Sequence, residues 1–392
     1  MRRPELAWLL TGLLGGCSSG HGCTGEEEPG APSAARPPAP PASEATSDAI
    51  APTPPPTASA VSEPAPPPPD DLWGDRIRWP GTLAEQNELM FRQLEHHHAL
   101  GADAMGLIRR IIAEGKWTGQ GNPEASEHAL SPNACRARLA ERGLRFEDPA
   151  FERICGARYM APLYDPDKGE KAEEARACID RFEFPNIPCV YPVTWVQANH
   201  AVDLCHAMGK RLCDAHEWEG ACYGRLEPPD YDFALARGVD AEAARGAMRK
   251  AHNARVEPTK RWAYGPEYRK GVCATGSKKS DACKVIGWKQ CGSNTYPAGS
   301  FPDCVSPLGV YDIHGNAAEH MNIPLAEDQL ASHASRKYGH TEMKGSWFVF
   351  DLIRAHEDHC RWRAPDWHAS RVTSPRSHHN YHLGFRCCKS RE

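Results

Sequence analysis

The stretch Gly309-Val310-Tyr311-Asp312-Ile313-His314-Gly315-Asn316-Ala317-Ala318-Glu319 decides how this chain is read. It is a turn rich in Gly and Asn, able to aim backbone carbonyls at one point, and Asp312 and Glu319 add two hard carboxylate oxygens. Such a donor set suits calcium rather than a transition metal, the alternative being a solvated turn that binds nothing. Three further motifs flank it in order. Gly209-Lys210-Arg211-Leu212 runs into Glu217-Trp218-Glu219 upstream, and Lys344-Gly345-Ser346-Trp347 and Leu383-Gly384-Phe385-Arg386-Cys387 follow downstream. Each alone is built of residues that also mark ordinary turns and cores; their order makes the set specific.

Together the four motifs resemble the sulfatase-modifying-factor family, whose founding activity is the formylglycine-generating enzyme, over roughly Cys178 to Cys388. The resemblance implies an α+β fold, a C-type-lectin-like domain with short strands, few helices and long ordered loops, over 154–392. Fold does not fix function, so the site residues are read one by one. The resemblance implies a structural calcium site, with Asp312 and Glu319 as side-chain ligands and Gly315 and Ala317 as carbonyl ligands. The usual Trp-Glu-Trp is here Ala318-Glu319-His320, so the packing around the loop must differ. It also implies that Cys205 pairs with Cys387 and Cys222 with Cys360, leaving Cys213 and Cys388 as an additional couple able to join each other. A second calcium site around Asn253 matches too poorly to carry over.

In the family's copper enzymes the Gly-Ser-aromatic motif is followed by two cysteines, five residues apart, whose thiolates hold copper(I) and activate oxygen. Soft thiolates are what copper(I) selects. Those positions here are Val349 and Arg354, and neither can bind copper. No catalytic residue is therefore assigned, and the expected role is binding or scaffolding. The alternative is a family enzyme, a protein-cysteine oxidase or a related metal-dependent modifier of an exported protein. Ser346 reads as a backbone-capping residue, Trp195, Trp218 and Trp347 as core aromatics, Arg211 and Arg386 as ion-pair partners. His356, Glu357, Asp358, His359, His368, His378, His379 and His382 supply donors near the former copper site, but no ligand set is fixed among them.

The start of the chain points out of the cytoplasm. Arg2 and Arg3 precede the apolar run Leu6 to Leu14, which is too short to span a bilayer, and Leu14-Gly15-Gly16-Cys17 looks like a bacterial lipobox. In that reading 1–16 is a signal peptide and Cys17 is lipidated, with Ser18 favouring the outer membrane; an ordinary secretory signal cleaved nearby is the alternative. Over 17–71 the composition shifts, with 15 of the chain's 35 prolines between Pro29 and Pro69. Such a segment cannot bury enough apolar surface to offset its ordering entropy, so it reads as a tether reaching at most about 150 Å.

Within 72–153 the residues Leu83, Met90, Leu94, Met105, Ile108, Ile111 and Ile112 recur at helical spacing, predicting one or two helices with a break at Gly101. His96, His97 and His98 point in three directions on a helix and read as a solvated face; the His-x3-His-x-Glu iron motif of the family's sulfoxide synthases is absent. A net charge of −5 with dispersed Lys and Arg, and no phosphate-cradling glycine loop, gives no reason to expect a nucleic acid or nucleotide. Fourteen cysteines between Cys135 and Cys388, without Cys-x2-Cys pairs, favour disulfides over zinc. The expected partners are the membrane, through Cys17, and an exported protein or peptide.

Overall fold

The computed structural model describes Leu72 and residues 80–283, 291–365 and 369–391, so the leader, Cys17, the Pro-rich stretch and His368 lie outside the described residues. Helix α1 (Leu83–His98) opens on a capping box in which the Thr82 hydroxyl accepts from Glu85 N and the Glu85 carboxylate accepts from Thr82 N. The chain turns through left-handed Ala99 and starts α2 (Ala102–Glu114) from Gly101, at the break that the apolar spacing predicts. Met90, Leu94, Met105, Ile108 and Ile112 then pack with Val190, Val193, Ala201, Leu204 and Phe385. These helices thus share a core with the sheets and do not form a separate hydrophobic unit.

The three histidines depart from the expected solvated face. Only His96 is exposed. His97 is buried near Tyr159, and burial first, then His96, lowers its pKa to about 4; His98 Nε2 lies 2.9 Å from the Pro185 carbonyl.

Helices α3 (Pro132–Glu141) and α4 (Pro149–Cys155) lead into β1 (Met160–Leu163) and β2 (Ala177–Asp180). Then come α5 (Ala198–Ala207), β3 (Arg211–Leu212), α6 (Ala215–Tyr223) and α7 (Ala241–Val256). The chain ends with β4 (Ala318–Ile323), β5 (His340–Lys344), β6 (Leu383–Phe385) and β7 (Cys387–Ser390). One sheet is antiparallel in the order β1-β2-β7-β3; the other is β5-β4-β6, with β4 antiparallel to β5 and parallel to β6.

Strand β6 belongs to one sheet and β7 to the other, and only Arg386 lies between them. The Gly-Phe-Arg-Cys motif is therefore the hinge pin of the domain. Gly384 is required there, since a Cβ would meet the Val193 carbonyl oxygen at 2.7 Å.

Seven disulfides join the fourteen described cysteines. Cys205–Cys387 and Cys213–Cys388 interleave and both enclose Cys222–Cys360, and together the three bonds tie α5, the end of β3 and α6 to the C-terminal part of the chain. The other four are Cys135–Cys189, Cys155–Cys178, Cys273–Cys304 and Cys283–Cys291.

A buried carboxylate cluster as the candidate functional site

The four sequence motifs converge on one buried ionic network. Arg386 is fully buried and donates to both Glu319 oxygens, at 2.6 and 2.7 Å, and to the carbonyls of Asp180 and Tyr311. Trp218 Nε1 donates to Glu319 at 3.0 Å. Lys210 meets Asp180 at 2.6 Å, and Arg211 grips Glu217 with two bonds of 2.6 and 2.7 Å while Glu217 caps α6 through Asp214 N. Lys344, with no exposed surface, donates to Glu219 at 2.9 Å, and Arg363 joins the same carboxylate at 3.0 Å. Burial opposes ionisation of Glu219, but Arg363 and Lys344 together hold its pKa down at about 2.

Asp312 and Glu319 come together in this network, and a third carboxylate, Glu183, stands with them. Glu183 accepts from Ala317 N at 2.9 Å and from Asn316 Nδ2 at 3.1 Å. Asp312 accepts from Gly299 N through Oδ2, while its buried Oδ1 has no hydrogen-bond partner. Three buried carboxylates thus gather where Arg386 is the cation in direct contact. Burial foremost, and then the repulsion of Asp312 and Glu319, raises Glu183 well above the usual carboxylate range; burial likewise raises Asp312 to about 7. Glu183 was not legible as a member of the site, because its stretch Asp180-Arg181-Phe182-Glu183 lies more than a hundred residues upstream and carries no ligand spacing.

Local backbone geometry shapes the loop. Asp312, Gly315 and Asn316 all adopt positive φ, and a Cβ on Gly315 would lie 2.6 Å from the Ala274 carbonyl oxygen. The donor chemistry fits a hard divalent cation: an orphaned buried carboxylate oxygen, an excess of acid, and Glu319 Oε1 accepting only one hydrogen bond. Asp312, Glu319 and the carbonyls of Gly315 and Ala317 would hold it, with Glu183 alongside. His320, in place of an aromatic flank, is buried and bridges Thr341 Oγ1 at 2.7 Å and the Val196 carbonyl at 2.9 Å. Ala318 packs with Met343 and Leu383.

Ser346 Oγ accepts from Gly315 N and donates to Asp358, each at 2.9 Å, so it braces the loop as a capping residue. Val349 is fully buried with Trp347, Phe348 and Phe350. Arg354 is half exposed, its guanidinium 4.9 Å from the Tyr268 ring centre. Asn253 has both amide atoms bonded to the Arg363 backbone, which occupies the side chain a second calcium site would need. His356 stacks on Trp362, and His378 and His382 both contact Asn380. His314 sits 3.3 Å from Cys222 Sγ, next to the Cys222–Cys360 bond; burial keeps it neutral, with a pKa of about 4.

Two small sheets pinned by one buried arginine, with short strands and long ordered loops, define an α+β domain of the formylglycine-generating-enzyme type. The sulfatase-modifying factor enzyme 1-like domain family matches residues 167–391, and the chain belongs to that family. Among solved structures it is similar to PvdO from Pseudomonas aeruginosa, at 15% identity over 59% of this chain and 91% of that one, with a TM-score of 0.28. It is also similar to CarF, at 14% identity over 70% and 86% of the two chains, again with a TM-score of 0.28. No curated protein matches the chain.

Proposed function

We propose that this protein is a binding or scaffold member of its family, anchored in a bacterial cell envelope, that does not perform copper oxidase chemistry. The observation that carries the reading is the pair of positions where copper thiolates would stand: Val349 is buried without a ligand atom, and Arg354 is a permanent cation over Tyr268. Every described cysteine is bound in a disulfide, so none is available among them as a substitute thiolate. The purified protein should bind no stoichiometric copper(I) after reconstitution and should leave the cysteine of a sulfatase peptide unmodified by mass. Robust conversion of that peptide would overturn the reading.

Calcium belongs to the carboxylate cluster in this proposal, where it would supply the positive charge that Arg386 alone does not. The orphaned Asp312 oxygen and the raised Asp312 and Glu183 carboxyls support it. The sign of the pH dependence follows. Asp312 has a folded pKa of about 7, above its unfolded value near ~4, so in chelator its favourable state is protonated. Stability in chelator should fall as pH rises from about 4 to about 7, by a few kcal/mol, and the rise in Tm on adding calcium should grow across the same window. Asp312→Ala should abolish the calcium response. A melting curve indifferent to chelator at pH 8, with no calcium in the purified protein, would leave the loop as a plain turn.

Cys17 supplies the anchor in this reading, and an exported protein or peptide is the partner. Among the described residues no helix is long and apolar enough to cross a membrane. Cys17→Ser should move the protein from the membrane to the soluble fraction, since stable anchoring takes more than one acyl chain. Equal membrane retention of the variant would count against lipidation.

A further inference from the structure

Thirteen of the fourteen described cysteines are at most 3% exposed; Cys283 is the exception and is partly exposed. Its bond to Cys291 also closes the shortest loop of the seven, with a sequence separation of 8 against 23 to 182 for the others. A bond across so short a loop constrains the unfolded chain least. Both cysteines line a pocket of about 420 Å³ whose other walls include Val349, Leu352, Ile353 and Tyr381. Leu352 is 64% exposed and Ile353 41%, adjacent in the chain and at the same mouth. Exposed aliphatic side chains beside a reachable disulfide are what a thiol with an apolar neighbour would meet on entry. Lys279, poised over the Trp347 ring, and Asp281 line the pocket as well.

We propose that Cys283–Cys291 is a thiol–disulfide exchange site for exported peptides or proteins that carry a dithiol next to an aliphatic side chain. The partner's first thiolate attacks Cys283 Sγ, the S–S bond breaks, and Cys291 leaves as a thiolate. The partner's second thiolate then attacks its own sulfur in the mixed disulfide and releases Cys283. Two electrons and two protons pass from the partner dithiol to the cysteine pair, the partner gaining a disulfide and the pair becoming two thiols. The inference uses no atom of the carboxylate cluster, so its failure would leave the calcium reading intact.

The native protein is incubated in graded reduced and oxidised glutathione, alkylated with iodoacetamide and mapped by peptide mass spectrometry. Cys283 and Cys291 should label at a reductant level at least ~10-fold below that needed for any other bond, as accessibility governs exchange. A Leu-Cys-Ala-Cys-Leu peptide should then be oxidised stoichiometrically with loss of the Cys283–Cys291 bond, about 10-fold faster than a Ser-Cys-Ala-Cys-Ser peptide. Leu352→Glu with Ile353→Glu should erase that preference. Cys283→Ala with Cys291→Ala should still unfold cooperatively, with a melting temperature lowered by less than about 10 °C, and oxidise neither peptide. Labelling no earlier than Cys155 and Cys178, equal rates for the two peptides, or oxidation by the double alanine variant would each overturn the assignment.

Discussion

Replacing Arg386 by methionine is expected to destabilise the protein by about 3–5 kcal/mol, the loss typical of a buried ion pair stripped of one partner. The guanidinium has no exposed surface and satisfies Glu319 and two carbonyls at once. With calcium removed by chelator, Glu319 of the variant faces Glu183 and Asp312 in the same buried space, and the three carboxylates share no cation in direct contact. Arg386→Lys should recover only part of the loss, because an ammonium cannot present the planar fork that grips both Glu319 oxygens. Lowering the pH to about 5 should shrink the deficit of Arg386→Met, since the crowded carboxyls can then take up protons. Urea unfolding at pH 7.5 and pH 5 measures both effects. A loss below about 1 kcal/mol at pH 7.5 would mean that the cluster does not depend on this cation.

Removing both of the interleaved long-range disulfides, Cys205–Cys387 and Cys213–Cys388, by alanine should lower stability by about 7 kcal/mol in the chain-entropy picture. Their sequence separations are 182 and 175, which taken singly suggest about 5 kcal/mol each. Their ends, however, are near neighbours in sequence. While one bond stands, the other closes a loop of only about ten residues, so either alone should cost about 3 kcal/mol. Once one is gone, the survivor closes a longer loop back to Cys222–Cys360, and the double loss should exceed the sum of the singles by about 1 kcal/mol. Denaturant melts of the two single-bond variants and the double variant test this. Strict additivity would show that the two bonds do not constrain the same closure.

Much of the frame was legible in the chain because its motifs carry obligate partners. Arg386 and Arg211 read as ion-pair residues and are, with Glu319 and Glu217; Ser346 reads as a capping residue and braces Gly315. Helical spacing located α1 and α2 and their break, since amphipathic periodicity is local. What was not legible is long-range. Glu183 reaches Asn316 and Ala317 across more than a hundred residues, and no local pattern marks it as part of the cluster. The solvated face assigned to His97 fails because α1 lies against β-sheet core residues and not against solvent alone. Likewise, spacing cannot choose among the many pairings of fourteen cysteines, so bonds such as Cys135–Cys189 and Cys273–Cys304 needed the fold itself.

The interleaved bonds also set a timetable for biosynthesis. A chain made from its N-terminus presents Cys205 and Cys213 long before Cys387 and Cys388, with 175 residues separating Cys213 from Cys388. Both early thiols must wait unpaired while Cys222, Cys273, Cys283, Cys291, Cys304 and Cys360 emerge as competitors. Arg386, which Glu319 needs, arrives one residue before the waiting sulfurs' partners. Oxidation of the last two cysteines and neutralisation of the acidic core are therefore one late event, and a chain shortened by its last seven residues loses both together.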